Sequence, residues 1–225
     1  MPDLHLPHPD GVLFDLDGTL VDTVAIRIEA WSRTFDEAGL PSDRDRLARL
    51  IGVDGKRLAR EVAAVAGVSI DAQRAEAIDK RCGEIYEGLN RDPRPLPGVG
   101  ELVDALDREG IRWAIATSSR REQVGASVAA LGLRHEPTIV DGSHVEHAKP
   151  EPDLLLLGAE RLSVEPTRCW YVGDATWDVA AAIAAGMVPI AVTAGSAVDA
   201  ATLEGAGAAA VVEGLDALVA ALDHA

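Results

Sequence analysis

The sequence predicts an α/β fold: a parallel sheet with helices on both faces, plus a separate all-helical block. Three observations predict it. Beyond residue 98, short apolar runs alternate with amphipathic stretches of helical length, the pattern of consecutive βαβ units. Between the first apolar run and this alternation, residues 24–93 carry helical periodicity and no strand signal. Hydrophobic residues make up 48% of the chain but aromatics only 4%, which fits alanine-rich helices packed on a sheet better than a β-sandwich.

The first strand is the run Val12, Leu13, Phe14, which leads straight into Asp15 and Asp17 before Gly18 breaks it. Val24, Ile28, Trp31 and Phe35 then recur at helical spacing, until Gly39 and Pro41 end that helix. Residues 43–51 read as a second helix, stopped by the Gly-Val-Asp-Gly of 52–55. Residues 56–66 read as a third, stopped at Gly67. A fourth, 71–89, places Ala75, Ile78, Cys82, Ile85 and Leu89 on one face. The proline-rich stretch 90–98 is stiff and marks a boundary or hinge. These limits predict a core domain from residues 1–23 and 94–225 and a helical domain from 24–93 inserted into it.

Past the hinge the expected order is helix 100–109, strand 111–116, helix 121–131, strand 138–140 and helix 153–162. Strand 169–172, helix 177–185, strand 188–192, helix 197–204, strand 209–212 and helix 214–222 complete it. Such a series gives a doubly wound, Rossmann-like sheet.

The net charge of −16 excludes nucleic acid and anionic membranes as main partners. A phosphorylated substrate would also be repelled at long range and would need local cations. Cys82 and Cys169 lie far apart and read as buried free thiols. The opening residues do not resemble a signal peptide, and no apolar run is long enough to span a bilayer, so the expected compartment is the cytoplasm. Nothing marks an obligate interface, and the chain is expected to be a monomer or a weak homodimer.

In open α/β sheets ligands bind beyond the strand C-termini. There the sequence delivers Asp15 and Asp17, then Thr117 and Ser118, then Asp174 with Asp178 four residues on, and Lys149 from the loop after the third core strand. Each has a plainer reading alone: a turn, a helix cap, a solvated lysine. Together they suit phosphoryl transfer. Magnesium takes oxygen ligands, which Asp15 and Asp174 supply from neighbouring strand ends. An aspartate can attack phosphorus. Lys149, the Thr117 hydroxyl and loop amides can hold the transferring group, and Asp17 can serve as acid and base.

The pattern resembles the haloacid dehalogenase superfamily along the whole chain. Phe-Asp15-Leu-Asp17-Gly18-Thr-Leu-Val-Asp-Thr resembles its first motif, Ala116-Thr117-Ser118-Ser119 the second, Lys149-Pro-Glu-Pro the third and Gly173-Asp174-Ala-Thr-Trp-Asp178 the fourth. The resemblance implies that Asp15 is the nucleophile and a Mg2+ ligand. Asp17 would be the acid/base with its backbone carbonyl on the metal, and Asp174 a direct ligand supported by Asp178. Thr117 and Lys149 would bind the phosphoryl group, with Gly18 and Ser118 beside them. The helical insert would be a cap that closes over the crevice and selects a small phosphorylated metabolite.

Within the superfamily the name-giving dehalogenases lack the second acidic residue of the first motif, so Asp17 argues for phosphate esters. The sugar-phosphate mutases similar across the start of the cap typically carry histidine where this chain has Arg27, and Asp-Gly-Val where it has Asp-Gly-Thr19. The implied activity is hydrolysis of a phosphoglycolate-like or sugar phosphate monoester, with a phosphomutase of the beta-phosphoglucomutase type as the alternative. Arg27 is expected to read an acidic substrate tail through its fork, and Lys56, in the cap loop, to reach the crevice.

Overall fold

The structure is a computed structural model and describes residues 6–224. Residues 1–5 and 225, the outer limits of the expected core domain, lie outside the described residues. Strand β1 (Gly11–Phe14) is followed by four helices: α1 (Val24–Ala38), α2 (Arg44–Leu50), α3 (Gly55–Val65) and α4 (Ala72–Leu89). The alternating part then runs α5 (Val99–Glu109), β2 (Arg112–Ala116), α6 (Arg121–Ala130), β3 (Thr138–Val140) and α7 (Asp153–Leu162). It continues through β4 (Cys169–Gly173), α8 (Thr176–Ala185), β5 (Val188–Val192), α9 (Ala200–Gly205), β6 (Ala210–Val212) and α10 (Asp216–His224).

The six strands form one sheet in the order β3-β2-β1-β4-β5-β6, and every pairing is parallel. The strand order reverses direction between β1 and β4, which is where such sheets open a crevice. Phe14 lies opposite Ile115 on one side and Val172 on the other, so the chain leaves β1, β2 and β4 at adjacent points. This register brings Asp15, Thr117 and Asp174 to one edge.

β1 is buried on both faces, which explains its unbroken apolar run. Val12 and Phe14 join the hydrophobic cluster on one face, with Ile115, Val172 and Leu106. Leu13 joins the other, with Val140, Leu155 and Tyr171. The four inserted helices pack around their own cluster, which includes Trp31, Phe35, Leu47, Leu58 and Ile78. Trp31 and Phe35, one helical turn apart, stack with centroids 5.4 Å apart. Two short segments join this unit to the sheet and bond to each other: Asp22 N donates to Arg94 O at 2.9 Å and Leu96 N to Leu20 O at 2.9 Å.

Four helix starts follow from aspartate side-chain caps. Asp43 accepts from Asp45 N and Arg46 N, and Asp71 accepts from Arg74 N. The expected helix 197–204 begins instead at Ala200, because Asp199 caps it by accepting from Thr202 N. Ser196 is left in the loop, where its hydroxyl donates to Asp174 O at 2.6 Å. The last helix likewise starts at Asp216 rather than residue 214, and a short 3-10 turn, Pro166–Arg168, precedes β4. Cys82 and Cys169 are free and buried. Among the described residues no helix is long and apolar enough to cross a membrane.

Candidate active site

Beyond β1 and β4, carboxylate oxygens of Asp15, Asp174 and Asp178 lie within 4.8 Å of one another, all buried. The loop before α7 sends Lys149 into this cluster, and its side chain is fully buried. Nζ lies 2.7 Å from Asp15 Oδ1 and 2.7 Å from Asp178 Oδ1. A lysine pays for complete burial only where it is paired and bonded. Here burial pulls its pKa down, but the charges of Asp15 and Asp178 more than reverse this and hold the ammonium form. Tyr171 completes the bracket: its hydroxyl donates to Asp178 Oδ1 at 3.0 Å and accepts from Lys149 at 3.2 Å.

Asp178 is committed to this frame. Its Oδ1 bonds Lys149 and Tyr171, while its Oδ2 accepts from the backbone N–H groups of Asp174 at 3.1 Å and Ala175 at 2.9 Å. That leaves Asp15 and Asp174 as the open carboxylates. No hydrogen bond of good geometry reaches the buried Oδ1 of Asp15. Asp174 accepts one from the Thr19 hydroxyl at 3.2 Å. Gly18 is needed beside it: its φ is +83°, and a Cβ there would lie 2.3 Å from Asp174 Oδ2.

Three buried carboxylates against one ammonium leave negative charge uncompensated. Burial pushes the Asp15 pKa up to about 7; Lys149 pulls it down and Asp178 adds to the rise. Burial, followed by Asp178 and Asp15, pushes Asp174 well above the usual carboxylate range. The missing counter-charge and the all-oxygen donor set fit a hard divalent cation such as Mg2+.

Asp17 points elsewhere. Its Oδ1 accepts from Thr23 at 2.6 Å and from the Tyr86 hydroxyl at 2.7 Å. Its Oδ2 accepts from Ser119 at 2.8 Å and from Arg27 through Nη2 at 2.8 Å and Nε at 3.2 Å. Burial alone would raise this carboxyl, but Arg27 and these hydrogen bonds outweigh it and hold it at about 2. Arg27 also lies 3.4 Å over the Tyr86 ring and donates to Gln123 Oε1 at 3.0 Å. Arg27, expected to read a substrate tail, lines the crevice with its fork taken by Asp17 in this structure. The Asp17 carboxylate likewise stands outside the acidic cluster.

The crevice between sheet and helical unit has a volume of about 50 Å3 and is lined by Asp15, Asp17, Thr117, Ser118 and Lys149 from the sheet side. Arg27, Trp31, Gly55, Leu58 and Asp79 line it from the helical side. Ser118 donates its hydroxyl to Gly52 O at 3.1 Å, and Asp54 N donates to Lys149 O at 3.0 Å. Ser118, expected beside the phosphoryl group, thus spends its donor on the helical unit. Thr117 is buried, and its hydroxyl oxygen accepts from Ser119 N at 3.2 Å. Lys56, expected to reach the crevice, is half-buried on the first turn of α3 and is not among its lining residues. A larger cavity of about 720 Å3 opens around Trp113 and Arg134, at the opposite end of the sheet edge, away from these groups.

Sequence reasoning missed Tyr171, Tyr86, Gln123 and Asp79. Two carried a signal. Tyr86 falls on the buried stripe of α4 as a polar group among apolar ones, and Asp79 sits one turn from both Ala75 and Cys82 of that stripe.

The family model for haloacid dehalogenase-like hydrolase matches residues 12–192. The chain is 35% identical over 181 residues to fructose-1-phosphate phosphatase YqaB of Escherichia coli, covering 79% of this chain and 93% of that one. It is 34% identical over 185 residues to a phosphoglycolate phosphatase of Xanthomonas campestris, covering 81% and 82%. The crystal structure of a hydrolase from Pseudomonas syringae superposes with a TM-score of 0.89 at 33% identity, covering 95% of this chain and 98% of that one. With four motifs converging from the ends of β1, β2 and β4 and from the loop before α7, and the family match spanning most of its length, the chain belongs to the haloacid dehalogenase-like hydrolases.

Proposed function

We propose that this hydrolase is a magnesium-dependent phosphatase of small phosphate monoesters that works through a phosphorylated Asp15. One observation carries the reading. A fully buried lysine is clamped between Asp15 and Asp178 inside a carboxylate cluster still short of positive charge. Asp15 and Asp174 would hold Mg2+ directly, with Asp178 supporting through water and the Asp17 carbonyl beside it. Bound there, the metal would offset the repulsion between Asp15 and an anionic phosphate.

Asp15 attacks phosphorus through a carboxylate oxygen, and the bond from phosphorus to the ester oxygen breaks. Lys149 and the Thr117 hydroxyl hold the charge of the transferring group. Asp17 gives a proton to the leaving alkoxide, then takes one from water as that water attacks phosphorus and frees Asp15. An acid held at about 2 must first gain its proton. Arg27 and Tyr86 lie on the helical unit, so an opening of that unit as a cap would free the Asp17 carboxylate from both and bring it back toward the usual carboxylate range. A crevice of about 50 Å3 is also far below the ~300 Å3 of usual small-molecule pockets, so the cap must open for substrate to enter.

The relatives include phosphatases and a phosphomutase. A mutase must hold a second phosphate while the first is exchanged. Arg27 and Lys149, the cations lining the crevice, are both paired with carboxylates, which favours the phosphatase. Purified protein should release phosphate from p-nitrophenyl phosphate with Mg2+ and lose this with excess chelator. Turnover that ignores chelation would contradict the metal's role, and no turnover with Mg2+ the phosphatase reading itself.

A further inference from the structure

Building on the phosphatase reading, we propose that Asp79 selects the leaving group. The crevice takes phosphate esters of uncharged, hydroxylated alcohols such as polyols and sugars, and turns away esters that carry a carboxylate. Asp79 lines the crevice from α4, as Asp15 and Lys149 do from the sheet side, and its side chain is 15% exposed. Its Oδ2 accepts from Arg120 through Nε at 3.1 Å and Nη2 at 2.8 Å. The same guanidinium donates to Glu76 at 2.7 Å, so one cation serves two carboxylates and a negative charge remains.

The other oxygen is turned to Gly55. A Cβ at that position would lie 1.9 Å from Asp79 Oδ1, so the glycine is what admits the carboxylate. Arg120 comes from the sheet side, at the start of α6, so the acceptor is fixed from both sides of the crevice. Trp31 and Leu58 line the same wall and offer an apolar face. A fixed carboxylate beside an aromatic face suits the hydroxyls and C–H surface of a polyol.

A carboxylate on the substrate meets the reverse. The lining cations are spent on Asp17, Asp15 and Asp178, and the added charge would face Asp79 across a crevice of about 50 Å3. This assigns leaving-group choice to Asp79 rather than to Arg27.

Glycerol 3-phosphate and 3-phosphoglycerate test this, since they differ only by a hydroxymethyl group against a carboxylate. The wild-type ratio of their kcat/KM values should favour glycerol 3-phosphate by at least ~30-fold, and Asp79→Asn should lower that ratio at least ~10-fold. The ratio is independent of the folded fraction of the variant. A wild-type ratio near or below one overturns the proposal, as does a ratio unmoved by Asp79→Asn. If the wild type hydrolyses neither ester nor p-nitrophenyl phosphate, the phosphatase reading fails on its own. Calorimetric affinities of the wild type for the two esters then decide selectivity: tighter glycerol 3-phosphate supports it, and equal or tighter 3-phosphoglycerate overturns it.

Discussion

Asp17 and Arg27 form a buried ion pair in which every carboxylate oxygen has a donor. Such a pair adds little against an apolar alternative, yet losing one partner strands the other. Arg27→Gln should therefore cost about 3 kcal/mol in urea unfolding at neutral pH. A loss below about 1 kcal/mol would mean that the pair is not buried as described. The pH sign follows from the shift. Asp17 sits at about 2 in the folded chain and near 3.9 unfolded, so its stabilisation is full above about 4 and lost as pH falls toward 2. Without Arg27 the folded value rises, and acid unfolding followed by circular dichroism should begin at higher pH.

At the scale of elements, the crevice depends on loops braced against one another. The loop after β3 supports the loop after β2: Gly142 N donates to Ser119 O at 2.9 Å. A Cβ on Gly142 would stand 2.4 Å from the backbone oxygen of Ser118. Backbone cannot yield as a side-chain tip can. Gly142→Ala should cost about 2 kcal/mol and displace Thr117 and Ser118, lowering kcat/KM at least ~10-fold. A variant with wild-type melting temperature and kinetics would show that this contact is loose. The four inserted helices carry a core of their own, joined to the sheet by the paired segments at Leu20–Leu96 and Asp22–Arg94 and by Trp177 and Ala197, which pack against that core.

Over the whole molecule, the net charge of −16 is matched locally by a cluster in which three carboxylates share one lysine. Asp15 at about 7 lies above its unfolded value, so the metal-free chain loses stability as pH rises from about 4 to 7. Metal binding needs the ionised carboxylates and should offset this. The gain in melting temperature from Mg2+ should therefore grow between pH 5 and pH 8; a gain that is flat or shrinks would place the metal elsewhere. The sheet was legible in the sequence because buried parallel strands are apolar runs, as in Val12 to Phe14, and Asp15 and Asp174 because polar residues stand where those runs stop. The direction of a side chain was not legible. Which way Asp17 turns, and whether Arg27 meets substrate or Asp17, depends on how the helical unit lies on the sheet. Asp79, Tyr86 and Tyr171 were hidden for the same reason: helical and strand periodicity fixes a face, but not what that face meets. The most direct measurement of the central claim is acid quenching during turnover with Mg2+, followed by peptide mass spectrometry. The phosphoryl group should be found on Asp15 and be absent from Asp15→Asn protein, which should also lose at least ~1,000-fold in kcat. Phosphate on another residue, or an Asp15→Asn protein that keeps most of its activity, would contradict it.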